Sequence, residues 1–185
     1  MNGKRRSSAQ RQSRIAAFCG MAAALSVVLM LTGGLIPVMT YVSPLAAGII
    51  LLPVMMEFGK KYAWTCWLAA VLIVMLLGID REAAFFYLFF GWYPLVKWQL
   101  DRIGSRPAAL AAKAVLFLLC AGAMYGLMSL VMGAQAALGE FGEMGAAMTA
   151  VFFVLLVVCM LVYDRMLLPL AFIWEKKLKP RLKLR

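Results

Sequence analysis

RIAAFCGMAAALSVVLM, residues 14–30, is the stretch whose reading decides the fold. After Arg14 it carries no charge, and Ala16, Gly20 and Ala24 fall at i, i+4 and i+8, so they stack on one helical face. It follows MNGKRRSSAQRQS, which is basic, polar and not expected to fold alone. An apolar helix leaving a positively charged membrane face, with a smooth stripe of small residues, offers a surface to another helix. Whether that helix belongs to the same chain or to a partner is the functional question.

Composition fixes the class. Of 185 residues, 65% are hydrophobic and 15% charged, and the mean hydropathy is +0.89. A soluble domain of this size needs far more polar surface, so the expected fold is an all-α integral membrane protein. The net charge of +11 would suggest nucleic acid in a soluble chain. Here the basic residues gather at segment ends, where anionic lipid headgroups attract them, so the bilayer is the expected partner and nucleic acid is not. Cys19, Cys66, Cys120 and Cys159 lie inside apolar segments without metal-ligand spacing and are read as packing residues. Histidine is absent from the sequence, which removes the commonest general base and metal ligand. The first apolar run lacks a small-residue cleavage site in LTGGLIPVM and is read as a retained helix rather than a signal peptide.

A span needs about 20 mostly apolar residues. Six segments qualify: 14–31, 35–56, 62–77, 83–100, 108–132 and 146–173. The sixth is ambiguous at its end, where Asp164 and Arg165 precede MLLPLAFIW, which either continues the helix or lies along the interface. With the N-terminus in the cytoplasm, all but one of the 19 Lys and Arg fall on the inner side, and Arg81 alone falls outside. The positive-inside rule then gives six transmembrane helices with both termini inside. The expected organisation is a basic tail over 1–13, one six-helix membrane domain over 14–175 and a basic tail over 176–185. No internal repeat and no P-loop is evident, so the chain is not expected to hydrolyse nucleotide by itself.

Irregular or polar backbone at membrane depth is costly unless it lines a cavity or is buried in protein. Three interruptions stand out, all on the expected outer side. In GGLIPVMTYVSPL, residues 33–45, two glycines, two prolines, Thr40, Tyr41 and Ser43 break the second span. The run from Pro44 to Met56 is too short to cross at about 1.5 Å per residue. It is either a re-entrant gate beside a pocket or a proline-rich helix entry. In GIDREAAFFYLFFGWYP, residues 78–94, Asp80 suits a helix N-cap and Glu82 a first-turn acid. Arg81 either binds an anionic ligand there or pairs with a nearby acid. Glu82, Phe86, Phe90 and Tyr93 share a helical face on which a planar ligand could stack, although such aromatics more often form belts or cores. In GAQAALGEFGEMGAA, residues 133–147, four glycines suggest a flexible loop, either a lid or a plain connection.

On the inner side Lys97 and its neighbours read as snorkelling anchors. No Ser/His/Asp set and no carboxylate pair at one depth is apparent, so the chain is not expected to be an enzyme, to hold a metal or to carry a cofactor. Gly122 and Gly126 form a G-x-x-x-G pair, usually a close intramolecular helix contact. The same bland reading applies to Ala16, Gly20 and Ala24.

Taken together, the basic N-terminus, the small stripe and the following ALSVVL resemble the substrate-binding S components of energy-coupling factor (ECF) transporters. The resemblance covers the whole chain in plan: six helices, both termini inside and no ATPase. It implies that Ala16, Gly20 and Ala24 dock against an ECF transmembrane coupling protein driven by two ATPase subunits, with Gly20 departing from the family's alanine while staying small. It also implies a small-molecule pocket at the outer side of the plasma membrane, capped by residues 33–43. Candidate ligand-binding residues there are Thr40, Tyr41, Ser43, Arg81, Glu82, Phe86, Phe90 and Tyr93. The ligand expected from the resemblance is a vitamin or similar micronutrient. The alternative is a small six-helix scaffold or assembly protein in which the stripe is internal packing. A lipid-acting membrane enzyme is a third reading, and the lack of catalytic groups speaks against it.

Overall fold

The computed structural model describes residues 2–33, 39–78 and 80–178, with side chains over 10–33, 39–78, 80–131, 133 and 148–177. Every regular element among them is helical: α1 (Asn2–Leu31), α2 (Met39–Phe58), α3 (Lys60–Leu77), α4 (Arg81–Phe90), α5 (Tyr93–Leu100), α6 (Arg106–Met132) and α7 (Ala134–Ile173). A π-helical turn, Trp174–Leu178, follows α7. Among the described residues, five helices are long and apolar enough to cross a membrane: α1 from Gln10, then α2, α3, α6 and the later part of α7. This supports a multi-pass membrane protein.

Packing divides the chain into two compact units, Met1–Leu95 and Val96–Arg185. In the first, α1, α2 and α3 pack against one another and α4 packs on α2 and α3. Val27, Met30, Ala47, Val71, Val74, Ala84 and the fully buried Tyr87 form its core. Alanines at the contacts let the backbones come close, as membrane helices require when hydrophobic transfer no longer drives association. Ser26, buried on α1, donates its hydroxyl to the Ala22 carbonyl at 2.9 Å and to the Ala47 carbonyl of α2 at 3.4 Å. Gly59 alone joins α2 to α3, at φ 96°, and Gly78 ends α3 in the left-handed region with its N–H on the Val74 carbonyl. Side chains rarely adopt either conformation.

The structure corrects three of the expectations from sequence and decides between two open ones. The fourth expected span, 83–100, is two short helices broken at Gly91 and Trp92. A methyl group on Gly91 would overlap the Tyr87 ring and carbonyl, so the chain turns where only glycine fits, and Pro94 opens α5 at a position where a missing N–H costs little. Of the two readings of the second span's start, the helix entry fits: α2 starts at Met39, five residues before Pro44, and its 20 residues span about 30 Å. The expected loop at 133–147 is helical from Ala134, and the run after Asp164 and Arg165 continues the same helix to Ile173. Gly122 and Gly126 are exposed, and a methyl on either meets nothing within 4 Å, so they make no close intramolecular contact. The cysteines are free thiols, and buried Cys66 donates weakly to the Cys19 carbonyl at 3.6 Å.

Gly91→Ala tests the break between α4 and α5. Displacing the fully buried Tyr87 is expected to cost about 1–3 kcal/mol, read as a lowered unfolding midpoint of the detergent-solubilised chain. An unchanged midpoint would mean that the turn tolerates a side chain.

Candidate functional site

Two polar clusters stand out, one in each unit. In the first unit the cluster forms where α1 stops and α2 and α4 start. Asp80 caps α4: its backbone is extended, and its Oδ1 accepts from the Ala83 N–H at 2.9 Å. This is the capping role read from the sequence. Next to it, the Tyr41 hydroxyl donates to Glu82 Oε2 at 3.4 Å, and the Tyr41 ring meets Phe86 edge-on with centroids 5.6 Å apart. Phe86 in turn stacks on Phe90 at 4.6 Å. Thr40 donates to the Gly33 carbonyl at 3.3 Å, and Ser43 is buried one turn along α2.

The structure thus brings Thr40, Tyr41, Ser43, Glu82, Phe86 and Phe90 to one end of this unit. Arg81, at the start of α4, is exposed. Tyr93 is buried but lies beyond the break, on α5. Phe86 and Phe90 are almost fully covered, which makes Tyr41 the exposed ring of the group. Part of the expected cap, residues 34–38, lies outside the described residues, as does Ile79.

The small stripe on α1 is open. Ala16, Gly20 and Ala24 are all exposed, and a methyl built on Gly20 meets nothing within 4 Å. The same helix buries Ile15, Ala22, Ala23, Ser26, Val27 and Met30, a face centred about a quarter-turn away at 100° per residue. Packing against α2 and α3 therefore does not consume the stripe.

In the second unit, four charges close into a ring that the sequence reading missed. Lys97 Nζ lies 2.6 Å from Asp164 Oδ1 and 3.1 Å from Asp101 Oδ2. Lys113 Nζ lies 2.8 Å from Asp164 Oδ2 and also bonds Asp101 Oδ1. Side-chain exposure is 1% for Lys97, 7% for Lys113, 6% for Asp164 and 34% for Asp101. Lys97 is therefore a buried partner, not a snorkelling anchor, and Asp101 and Asp164 form the carboxylate pair that seemed absent. The i, i+4 spacing of Lys97 and Asp101 was the signal available in the sequence. Lys113 sits 12 residues from Asp101, and Asp164 sits 67 residues from Lys97, which spacing along one helix cannot reveal.

The ring is net neutral. Each ammonium meets two carboxylates and each carboxylate two ammoniums, so neither acid is poised as a general base. Charges inside apolar helices are tolerated when their partners are complete, and here the four side chains clamp the end of α5 to α6 and α7. Elsewhere in this unit, Leu118, Phe153, Val154, Val157 and Val158 line an open groove of about 270 Å³ with no polar atom in its wall. Nothing there could orient a polar substrate. No three His, Cys, Asp or Glu side chains converge among the described residues.

No family model, curated protein or solved structure matches the chain.

Removing one ring member strands a buried opposite charge. Asp164→Ala is expected to destabilise the chain by about 3–5 kcal/mol, measured by denaturant unfolding in detergent. The double variant Lys97→Met/Asp164→Leu should recover much of that loss, because Lys113 and Asp101 still pair. Strictly additive losses would show that the ring is not one coupled unit.

Proposed function

We propose that this chain is the substrate-binding membrane subunit of an ECF-type uptake transporter, docking to a transmembrane coupling protein with two ATPases and taking up a vitamin or similar micronutrient. The observation that carries the reading is the open stripe of Ala16, Gly20 and Ala24. Exposed small residues on a membrane helix let a partner backbone approach closely. A stripe used for internal packing would be covered, and this one is not. Interlocked large side chains would resist sliding against a partner, whereas a smooth face permits the subunit to reorient in the membrane while docked.

The polar end of the first unit supplies a place for the substrate. Thr40, Tyr41, Ser43 and Glu82 come together there with an exposed aromatic ring, on ends of helices rather than in their apolar middles. In the proposed orientation both termini are cytoplasmic and this end faces outward in the plasma membrane. Binding and docking suffice for this role, and ATP hydrolysis belongs to the partners.

Gly20→Trp tests the docking face. It should abolish co-purification with the coupling protein, while Leu72→Trp, on an exposed apolar position of α3, should leave it intact. Equal recovery of partner by both variants would remove the stripe from the docking surface.

A further inference from the structure

We propose that the oxygen cluster where α1 stops and α2 and α4 start binds a compact monovalent cation, either an alkali ion or the protonated amine of a bound molecule. The amine form rests on the transport reading above, whereas the alkali-ion form does not.

Ser43 is the starting point. It is 3% exposed, and its Oγ has no hydrogen-bond partner among the described residues. A buried hydroxyl left without a partner costs stability and calls for an explanation. Gly33 shows where this oxygen points. A methyl built on Gly33 would stand 3.0 Å from Ser43 Oγ and 3.2 Å from Asp80 Oδ2. Both oxygens therefore face the same place, from α2 and from the start of α4, and lie no more than about 6 Å apart by those two distances. An ammonium donating two N–H···O bonds of about 2.7–3.0 Å bridges oxygens about 4.5–5 Å apart, inside that limit.

The surrounding groups offer acceptors. Asp80 uses Oδ1 for the Ala83 N–H, and Oδ2 is the atom turned toward Ser43. Thr40 already directs its proton to the Gly33 carbonyl and Tyr41 to Glu82, so both hydroxyls present lone pairs. Two carboxylates, Asp80 and Glu82, serve the cluster, while the side chain of Arg81 is exposed. The α4 N-terminus opposes a cation with about half a positive charge, less than the full charge of Asp80 alone. Oxygen-only donors without imidazole or thiolate disfavour transition metals. So few carboxylates suit a singly charged guest better than calcium, which gathers six to eight oxygens.

The test follows thermal unfolding of the full chain in detergent at matched ionic strength, titrating sodium chloride, methylammonium chloride or the bulky N-methylglucamine chloride. A saturable rise in midpoint with sodium alone identifies an alkali ion, and one with methylammonium identifies an amine. N-methylglucamine should give none. Asp80→Asn keeps a capping oxygen for α4 and should weaken the apparent affinity about tenfold or more, the loss of a charge-assisted bond. Ser43→Ala, which leaves the cap intact, should also weaken it. The proposal is overturned if neither small cation produces a saturable rise, or if Ser43→Ala retains the wild-type response. Because the assay needs no coupling protein, its failure leaves the docking test standing, and failure of docking leaves a sodium response unexplained by transport but still bound at this site.

Discussion

The pairing of Lys97, Lys113, Asp101 and Asp164 is the constraint on which the second unit depends. Lys113 and Asp164 are buried in helices apolar enough to cross a membrane, and Lys97 is buried on the short α5 beside them. None could remain charged there alone, because hydrocarbon offers no water to replace the lost solvation. Their answer is mutual: two cations and two anions arranged so that every charge has two opposite neighbours. That geometry fixes where α5 ends relative to α6 and α7 more tightly than apolar contact does, since lipid tails compete equally for a leucine but not for an ammonium. The part-exposed Asp101 is the ring's one member within reach of solvent.

The first unit is held differently. Its core is built from alanines, valines, Met30 and the buried Tyr87 on four helices, and Thr40, Tyr41, Ser43, Asp80 and Glu82 gather at one end. Close backbone approach on one face of α1 and an open small-residue stripe on another are two uses of the same residue type. Ala22 and Ala23 are covered by neighbours within the chain, whereas Ala16, Gly20 and Ala24 are not. The proposed transporter-subunit role rests on this difference between a face that the chain itself fills and one that it leaves open.

How much was legible in the sequence depended on whether the deciding interaction was local. The span of α3 was readable within two residues, because an apolar run sits between Gly59 and Gly78, which both take positive φ. Asp80 was readable as a cap because capping acts within three residues. The break at Gly91 was hidden inside a run that is apolar on both sides, so hydropathy reported one span where the chain, passing close to Tyr87 at a position without room for a side chain, forms two helices. The helix from Ala134 was hidden by its glycines, although alanine, leucine, methionine and glutamate in the same run are strong helix formers. Beyond the Lys97–Asp101 spacing the charge ring was invisible, because it joins three separate helices and its Lys97–Asp164 pair is 67 residues apart. Of the candidate ligand residues, Thr40, Tyr41, Ser43, Glu82, Phe86 and Phe90 lie in the first unit's polar end or stack on it, while Tyr93 lies past a helix break that periodicity does not register.

The most direct measurement of the central claim is affinity purification of the tagged wild-type chain from its native membranes, with the recovered proteins quantified by mass spectrometry. The account predicts stoichiometric recovery of one multi-pass coupling protein together with two ATPase subunits. Recovery of a stable membrane partner without any ATPase, from cells shown to express a coupling module, would contradict it and make the chain a scaffold.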